Sequence, residues 1–123
     1  MGYSILLVRF VDGDGGALDR QAILDRLRPL ASHVYSDGAL ELASDATGQA
    51  TVWVNSDSIE LDRPSVWTRD LIYSLADDFD LVIVPLDAPV KLIREAQRVH
   101  LPLELCGDAV VVHSGVDVLS PIY

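Results

Sequence analysis

The sequence contains little of what stabilises small secreted proteins. It has one cysteine, Cys106, among 123 residues, so no internal disulfide can form. No apolar run approaches the roughly 18 residues that span a membrane, and the first residues lack the basic segment of a secretory signal. We therefore expect a single cytoplasmic domain over residues 1–123 that folds around its own core, as a monomer or a homodimer.

Basic residues are also scarce. Nine Lys and Arg oppose nineteen Asp and Glu, which gives a formal net charge of -10. A phosphate backbone or an anionic membrane would repel such a chain, so we expect neither nucleic acid nor membrane as a partner. Solubility alone is one explanation of the charge, and a basic protein partner is the other.

Motifs for catalysis, cofactors and metal ions are missing from the sequence. Asp12 and Asp14 in a glycine-rich segment would repel a phosphate, and no Gly-Lys-Ser/Thr follows them. The spacing of Cys106, His100 and His113 does not match a zinc site, and no serine lies in a nucleophile elbow. We therefore expect a non-enzymatic protein with no catalytic residues, no cofactor and no metal.

Hydrophobic periodicity and turn residues predict the secondary structure. Helices are expected from an Asp19 cap to Arg28, from Pro64 to Phe79, and from Asp87 or Pro89 to His100. The dipeptide Asp-Gly at 37–38 predicts a hairpin turn. The predicted strands cover residues 3–10, 33–36, 39–42, 51–54, 58–61 (as a short edge strand), 80–85 and 108–113.

This order of elements predicts an α+β fold with a mixed β-sheet. The first six elements match a ferredoxin-like (split βαβ) start, and a C-terminal strand–helix–strand extension follows, with its two strands parallel by default. Unbroken apolar runs at 5–8, 81–84 and 110–112 predict strands that are covered on both faces. The alternative is a flavodoxin-like α/β fold.

Two patterns predict a surface that binds a partner. Residues 31–62 contain six acids but no Lys or Arg, and an antiparallel sheet can leave one face in solvent. The next helix carries Arg69 and Tyr73 away from its expected core side, and both residue types are enriched at protein contacts. The predicted partner-binding residues are Asp37, Glu41, Asp45, Asp57, Glu60, Asp62, Arg69 and Tyr73.

The function that this composition favours is stoichiometric binding. We predict an acidic inhibitor of the bacterial immunity or antitoxin type, which covers a basic protein partner such as a toxin domain. A small-molecule-binding regulatory or sensor domain is the alternative, with a pocket near the ends of the strands. A third interpretation is a Mg²⁺ enzyme that uses Asp12, Asp14 and Asp87.

Overall fold

The computed structural model describes residues 4–43, 49–62, 66–85 and 89–118. The strands are β1 (Ser4–Val8), β2 (Phe10–Val11), β3 (Asp14–Gly15), β4 (Ala31–Val34), β5 (Leu40–Ala43), β6 (Gln49–Val54), β7 (Ser58–Asp62), β8 (Val82–Pro85), β9 (Lys91–Leu92) and β10 (Val110–Val111). The helices are α1 (Arg20–Leu27), α2 (Val66–Phe79) and α3 (Leu103–Cys106). Short 3-10 turns cover Arg28–Leu30, Glu95–His100 and Gly115–Asp117.

One eight-stranded sheet organises the described part of the chain, in the order β10-β9-β8-β1-β7-β6-β5-β4. The β9–β10 pair is parallel and the other neighbouring pairs are antiparallel. The prediction of an α+β fold with a mixed sheet is therefore confirmed. The flavodoxin-like alternative is wrong, because that fold requires a mainly parallel sheet.

Local sequence signals determine the first helix and the first hairpin. The Asp19 carboxylate accepts a hydrogen bond from the Ala22 amide at 3.2 Å and caps α1, and Pro29 lies just beyond the end of the helix. In the turn between β4 and β5, Gly38 adopts a φ of +93°, which glycine tolerates without steric cost. The Asp37 carboxylate accepts from the Ala39 amide at 3.0 Å. Both predictions are confirmed.

The main core lies between the sheet and the helices α1 and α2. Strand β1 contributes Ile5 and Leu7, which are fully buried, whereas Leu6 between them is 36% exposed. This alternation shows that β1 is covered on one face only, so the prediction that both faces are covered is wrong for this strand. The helices contribute the buried residues Ile23, Leu27, Ile72, Leu75 and Ala76.

A second apolar cluster covers the other face of the sheet at its β8–β10 end. Val82, Leu92 and Leu101 are buried there, and Phe10 and Leu105 pack against them. The end of the sheet that holds β8 is therefore covered on both faces, as the apolar run at 81–84 predicts. The other strands of this sheet, β1, β7, β6, β5 and β4, receive no such second cover from the described residues.

The predicted third helix is wrong within the described residues. The chain forms β9 at Lys91–Leu92 and then a 3-10 turn at Glu95–His100. The Gln97 side chain accepts hydrogen bonds from the amides of Ile93 (2.8 Å) and Arg94 (3.3 Å), and it thereby satisfies backbone groups that a helix would have used.

Three further expectations about the connections also need correction. The parallel pair is β9–β10, whereas β8 is antiparallel to β9. Strand β7 is not an edge strand, because it lies between β1 and β6. The predicted last strand is only the two-residue β10. The predicted helix starts at Pro64 and Asp87 lie outside the described residues.

None of the helices in the described ranges has the length and apolar character needed to cross a membrane.

Candidate binding surface

The candidate site is the sheet face that points away from α1 and α2 on strands β1, β7, β6, β5 and β4, together with Tyr35 and Ala39 at the hairpin. We call this surface the open face. Residues that pair directly across neighbouring strands point to the same side of a sheet. The pairing therefore assigns Ser4, Leu6, Val8, His33, Glu41, Thr51, Trp53, Ser58, Glu60 and Asp62 to the open face.

Two cross-strand rows contain most of its functional groups. In the first row, Glu60 pairs with Leu6 on one side and with Trp53 on the other. One step beyond the β5–β6 pairs, the same register brings Ala39 opposite Trp53. Tyr35 follows, since its amide donates to the Ala39 carbonyl at 2.9 Å. The row therefore places a small residue between two aromatic ones.

The second row runs beside the first and is more acidic. Asp62 pairs with Thr51, which pairs with Glu41, and Glu41 pairs with His33. The Tyr35 hydroxyl donates to Glu41 Oε1 at 2.7 Å, so a hydrogen bond links the two rows. The His33 ring lies edge-on to the Tyr35 ring, with 4.6 Å between their centroids.

Lys and Arg do not occur among the described strand residues that the pairing assigns to the open face. Among the described residues, no hydrogen bond or ion pair reaches the Glu60 carboxylate. Elsewhere in the molecule, arginines do pair with acids: Arg26 with Asp78, Arg28 with Asp25, Arg94 with Asp77 and Asp80, and Arg98 with Glu95.

An open pocket of about 400 Å³ lies where the two aromatic residues flank Ala39. We call it the aromatic pocket; its lining residues are Tyr35, Ser36, Asp37, Ala39, Thr51 and Trp53. Its volume is at the lower end of the range for small-molecule sites. A group about the size of one side chain can therefore enter it from solvent.

Thr51 adds a hydroxyl group to this pocket. The residue is only 9% exposed, and it pairs with Asp62 on one side and with Glu41 on the other. Among the described residues, the buried side-chain atom without a hydrogen-bond partner is Arg69 Nε, so the Thr51 hydroxyl is not an unsatisfied buried group. Since Thr51 lines the aromatic pocket, its hydroxyl can bind a ligand there.

A second open pocket of about 360 Å³ shares Asp37, Ala39 and Trp53 with the aromatic pocket and contains a base. Arg20 lines it, and the Arg20 Nε donates to the Val54 carbonyl at 3.2 Å. The guanidinium of Arg20 makes this second pocket less suitable for a cation than the aromatic pocket.

The structure brings some of the predicted partner-binding residues together and separates others. Glu41, Glu60 and Asp62 lie on the open face, and Asp37 lines both pockets at its edge. Asp57 lies in the β6–β7 turn, where its carboxylate is near Gly15. Asp45 lies outside the described residues.

Arg69 and Tyr73 do not join these acids, because α2 packs on the opposite face of the sheet. Tyr73 is half-buried against the main core, so the expectation that it points away from the core is wrong. Arg69 is also half-buried, and its Nε has no hydrogen-bond partner within the part of the chain that the structure describes. The 3-10 turn Gly115–Asp117 packs on α2, where Gly115 lies against Asp70.

The sequence-based prediction of the site omitted Trp53, Thr51, Tyr35 and Ala39. A signal for two of them was present, because Val52 and Val54 alternate with Thr51 and Trp53 in β6. Successive side chains of a strand point to opposite faces of the sheet, so Thr51 and Trp53 lie on the outer face if the valines face the core. Ala39 carried no comparable signal, since its role depends on what pairs on either side of it.

The open face and its pocket carry carboxylates, two aromatic rings and the Thr51 hydroxyl, which are groups that can attract and orient a cation. Across the described ranges, no group of three or more His, Cys, Asp or Glu has a geometry that could hold a metal ion. Comparisons of the chain with known protein families, curated proteins and solved structures found no match.

Proposed function

We propose that this protein is a non-enzymatic, cytoplasmic binding protein that covers a basic protein partner with its open face. Its most concrete form is an inhibitor of the bacterial immunity or antitoxin type, whose partner is a toxin domain. The observation that carries the proposal is the acidic surface around Trp53, formed by Glu41 on β5 and by Glu60 and Asp62 on β7, with Trp53 on β6 between these strands.

Charge and aromatic groups have separate tasks in such a surface. Acids at the edge of an interface steer a basic partner and raise the association rate, whereas desolvated anchors slow dissociation. Trp53 is the best anchor candidate, because it is half-buried at the centre of the acidic rows and tryptophan is enriched among interface hot spots.

We also propose that the fold is a ferredoxin-like plan enlarged by the hairpin β4–β5. Strands β7 and β8 are both antiparallel to β1, which lies between them, and α2 connects them. This is a split βαβ unit. The order β8-β1-β7-β6 follows the ferredoxin-like pattern, and the hairpin extends the sheet and the open face beyond β6.

The alternative function is a small-molecule-binding regulatory or sensor domain. The specific observation in its favour is the aromatic pocket, whose volume of about 400 Å³ admits a small ligand. The two functions differ in what fills the pocket: a side chain of a protein partner, or a molecule that binds without one.

The decisive experiment measures association with a basic protein encoded by the neighbouring gene, purified separately. We expect the double variant Glu41→Gln/Glu60→Gln to slow association by about tenfold at low salt and to flatten its salt dependence. The control Glu104→Gln/Asp108→Asn removes the same charge from exposed positions off the open face, so its association rate should stay near that of the unmodified protein.

Two results would reject the proposed function. One is a neighbouring partner that is acidic. The other is an equal loss of rate in the two double variants, since only net charge would then matter. Binding of a small molecule at the aromatic pocket with no protein partner would favour the sensor function instead.

A further inference from the structure

We propose that the aromatic pocket binds the guanidinium group of an arginine side chain presented by the basic partner. This inference rests on the proposed function and adds to it the chemical group that is recognised. It makes one pocket, rather than the whole acidic surface, the centre of the interaction.

The separation of the two aromatic residues at the backbone leaves room for a planar guest. Trp53 lies on β6, Tyr35 directly follows β4, and Ala39, directly before β5, lies between them; all three residues line the pocket. Neighbouring strands lie about 4.8 Å apart, so Trp53 and Tyr35 are separated by about 10 Å at the backbone. Ala39 has no side chain beyond Cβ and is itself buried, so it forms the floor of a slot between the two aromatic residues.

The polar groups of the slot suit a cation with several N–H donors. Asp37 and Thr51 line the slot, where a carboxylate and a hydroxyl can accept hydrogen bonds from a guest. Two further carboxylates are neighbours of the lining residues: Glu41 accepts from the Tyr35 hydroxyl, and Glu60 pairs with Trp53. The acidic groups therefore lie in and next to the pocket.

Arginine fits this arrangement better than lysine does. Its guanidinium is planar, weakly hydrated and able to stack on an aromatic ring while its N–H groups bind carboxylates. The ammonium of lysine is more strongly hydrated and cannot stack in this way. Arg20 does not occupy the slot, because it lines the second pocket and donates to the Val54 carbonyl.

A peptide titration tests this inference without the natural partner. The protein carries Trp67→Phe, which leaves Trp53 as the reporter because the chain has two tryptophans. Hexa-arginine is compared with hexa-lysine, with the uncharged isostere hexa-citrulline and with choline. We expect hexa-arginine to change the Trp53 fluorescence at lower concentration than hexa-lysine, and hexa-citrulline and choline to have no effect.

Calorimetry on variants then separates the pocket from the general charge. Trp53→Leu should weaken hexa-arginine binding about two- to thirtyfold, because it removes a cation–π contact, and Trp53→Tyr should retain most of the binding, because tyrosine keeps an aromatic ring. The conservative Trp53→Tyr variant also controls for folding, since a general loss of structure would affect it too.

Each remaining outcome has a definite meaning. Equal binding to Trp53→Leu and the unmodified protein overturns the arginine pocket, but the proposed function stands if Glu41→Gln/Glu60→Gln still loses the peptide. Peptide binding that is unaffected by Trp53→Leu and also by Glu41→Gln/Glu60→Gln overturns both the arginine pocket and the proposed function. A response to choline or hexa-citrulline equal to that of hexa-arginine also overturns the arginine pocket, and it favours the sensor function.

Discussion

Gly115 provides a sharp test of how the C-terminal segment packs. A Cβ at this position would lie 2.8 Å from the Asp70 Cα and 3.0 Å from its Cγ, and closer still to Oδ1. The Asp70 carboxylate can rotate away, but its Cα belongs to the backbone of α2 and cannot. We therefore expect Gly115→Ala to force the turn Gly115–Asp117 away from the helix.

The expected cost follows from overpacking in a well-packed region. Gly115→Ala should lower the free energy of unfolding by about 2 kcal/mol, which corresponds to a fall of about 8 °C in Tm for a domain of this size. Urea unfolding and thermal melts both measure it. Asp70→Ala should restore only part of the loss, because it removes the carboxylate but leaves the backbone of α2 too close to the added methyl group.

Gly107→Ala is the matched control. A Cβ at Gly107 would meet no atom within 4 Å, and its φ of -70° suits alanine. Its stability should change by less than about 0.5 kcal/mol. If Gly115→Ala proves equally harmless, the turn does not pack on α2 as described.

Two further predictions concern stability. Burial lowers the pKa of the Lys91 ammonium below 10.5, and the negative charge of Asp117 offsets only part of this shift. As the pH approaches 10.5, the folded state therefore binds fewer protons than the unfolded state. The free energy of unfolding should therefore rise with pH in that interval, and urea titrations of Lys91→Met should show a smaller rise, whereas an unchanged slope would contradict the assignment. Asp19→Ala should cost about 1 kcal/mol in thermal melts and Asp19→Ser much less, because serine retains the cap on the Ala22 amide; equal losses would show that the cap contributes nothing.

The sequence predicted the fold wherever a local signal and the tertiary environment agreed. The Asp19 cap and the Asp37-Gly38 turn each depend on a few adjacent residues, and both are present in the structure. The third helix was predicted wrongly because the contacts of Gln97 that replace it involve residues distant in sequence. Gln97 Nε2 also donates to the Asp80 carboxylate and to the Leu81 carbonyl. Periodicity cannot reveal that a side chain will satisfy the backbone instead of a helix.

The candidate site was predictable only in part for a related reason. The absence of bases between residues 31 and 62 indicated an acidic surface, and three of its acids do share the open face. The pocket depends on Tyr35, Ala39 and Trp53 meeting across three strands, which requires the register. Tyr73 was misassigned because the Gly115–Asp117 turn and the core bury a helix side that the sequence leaves open.

The distribution of charge bears on where the proposed partner docks, beyond what the net charge of -10 implies. Four arginines hold five acids away from the open face, at Asp25, Asp77, Asp78, Asp80 and Glu95. Each such pair presents little field beyond a Debye length of about 8 Å at physiological salt. Glu60 has no ion pair among the described residues, and neither do Glu104 and Asp108, so unpaired charge alone does not distinguish the open face. What distinguishes Glu60 is that it pairs with Trp53, so a basic partner that docks on this side, as we propose, can place an arginine in the aromatic pocket.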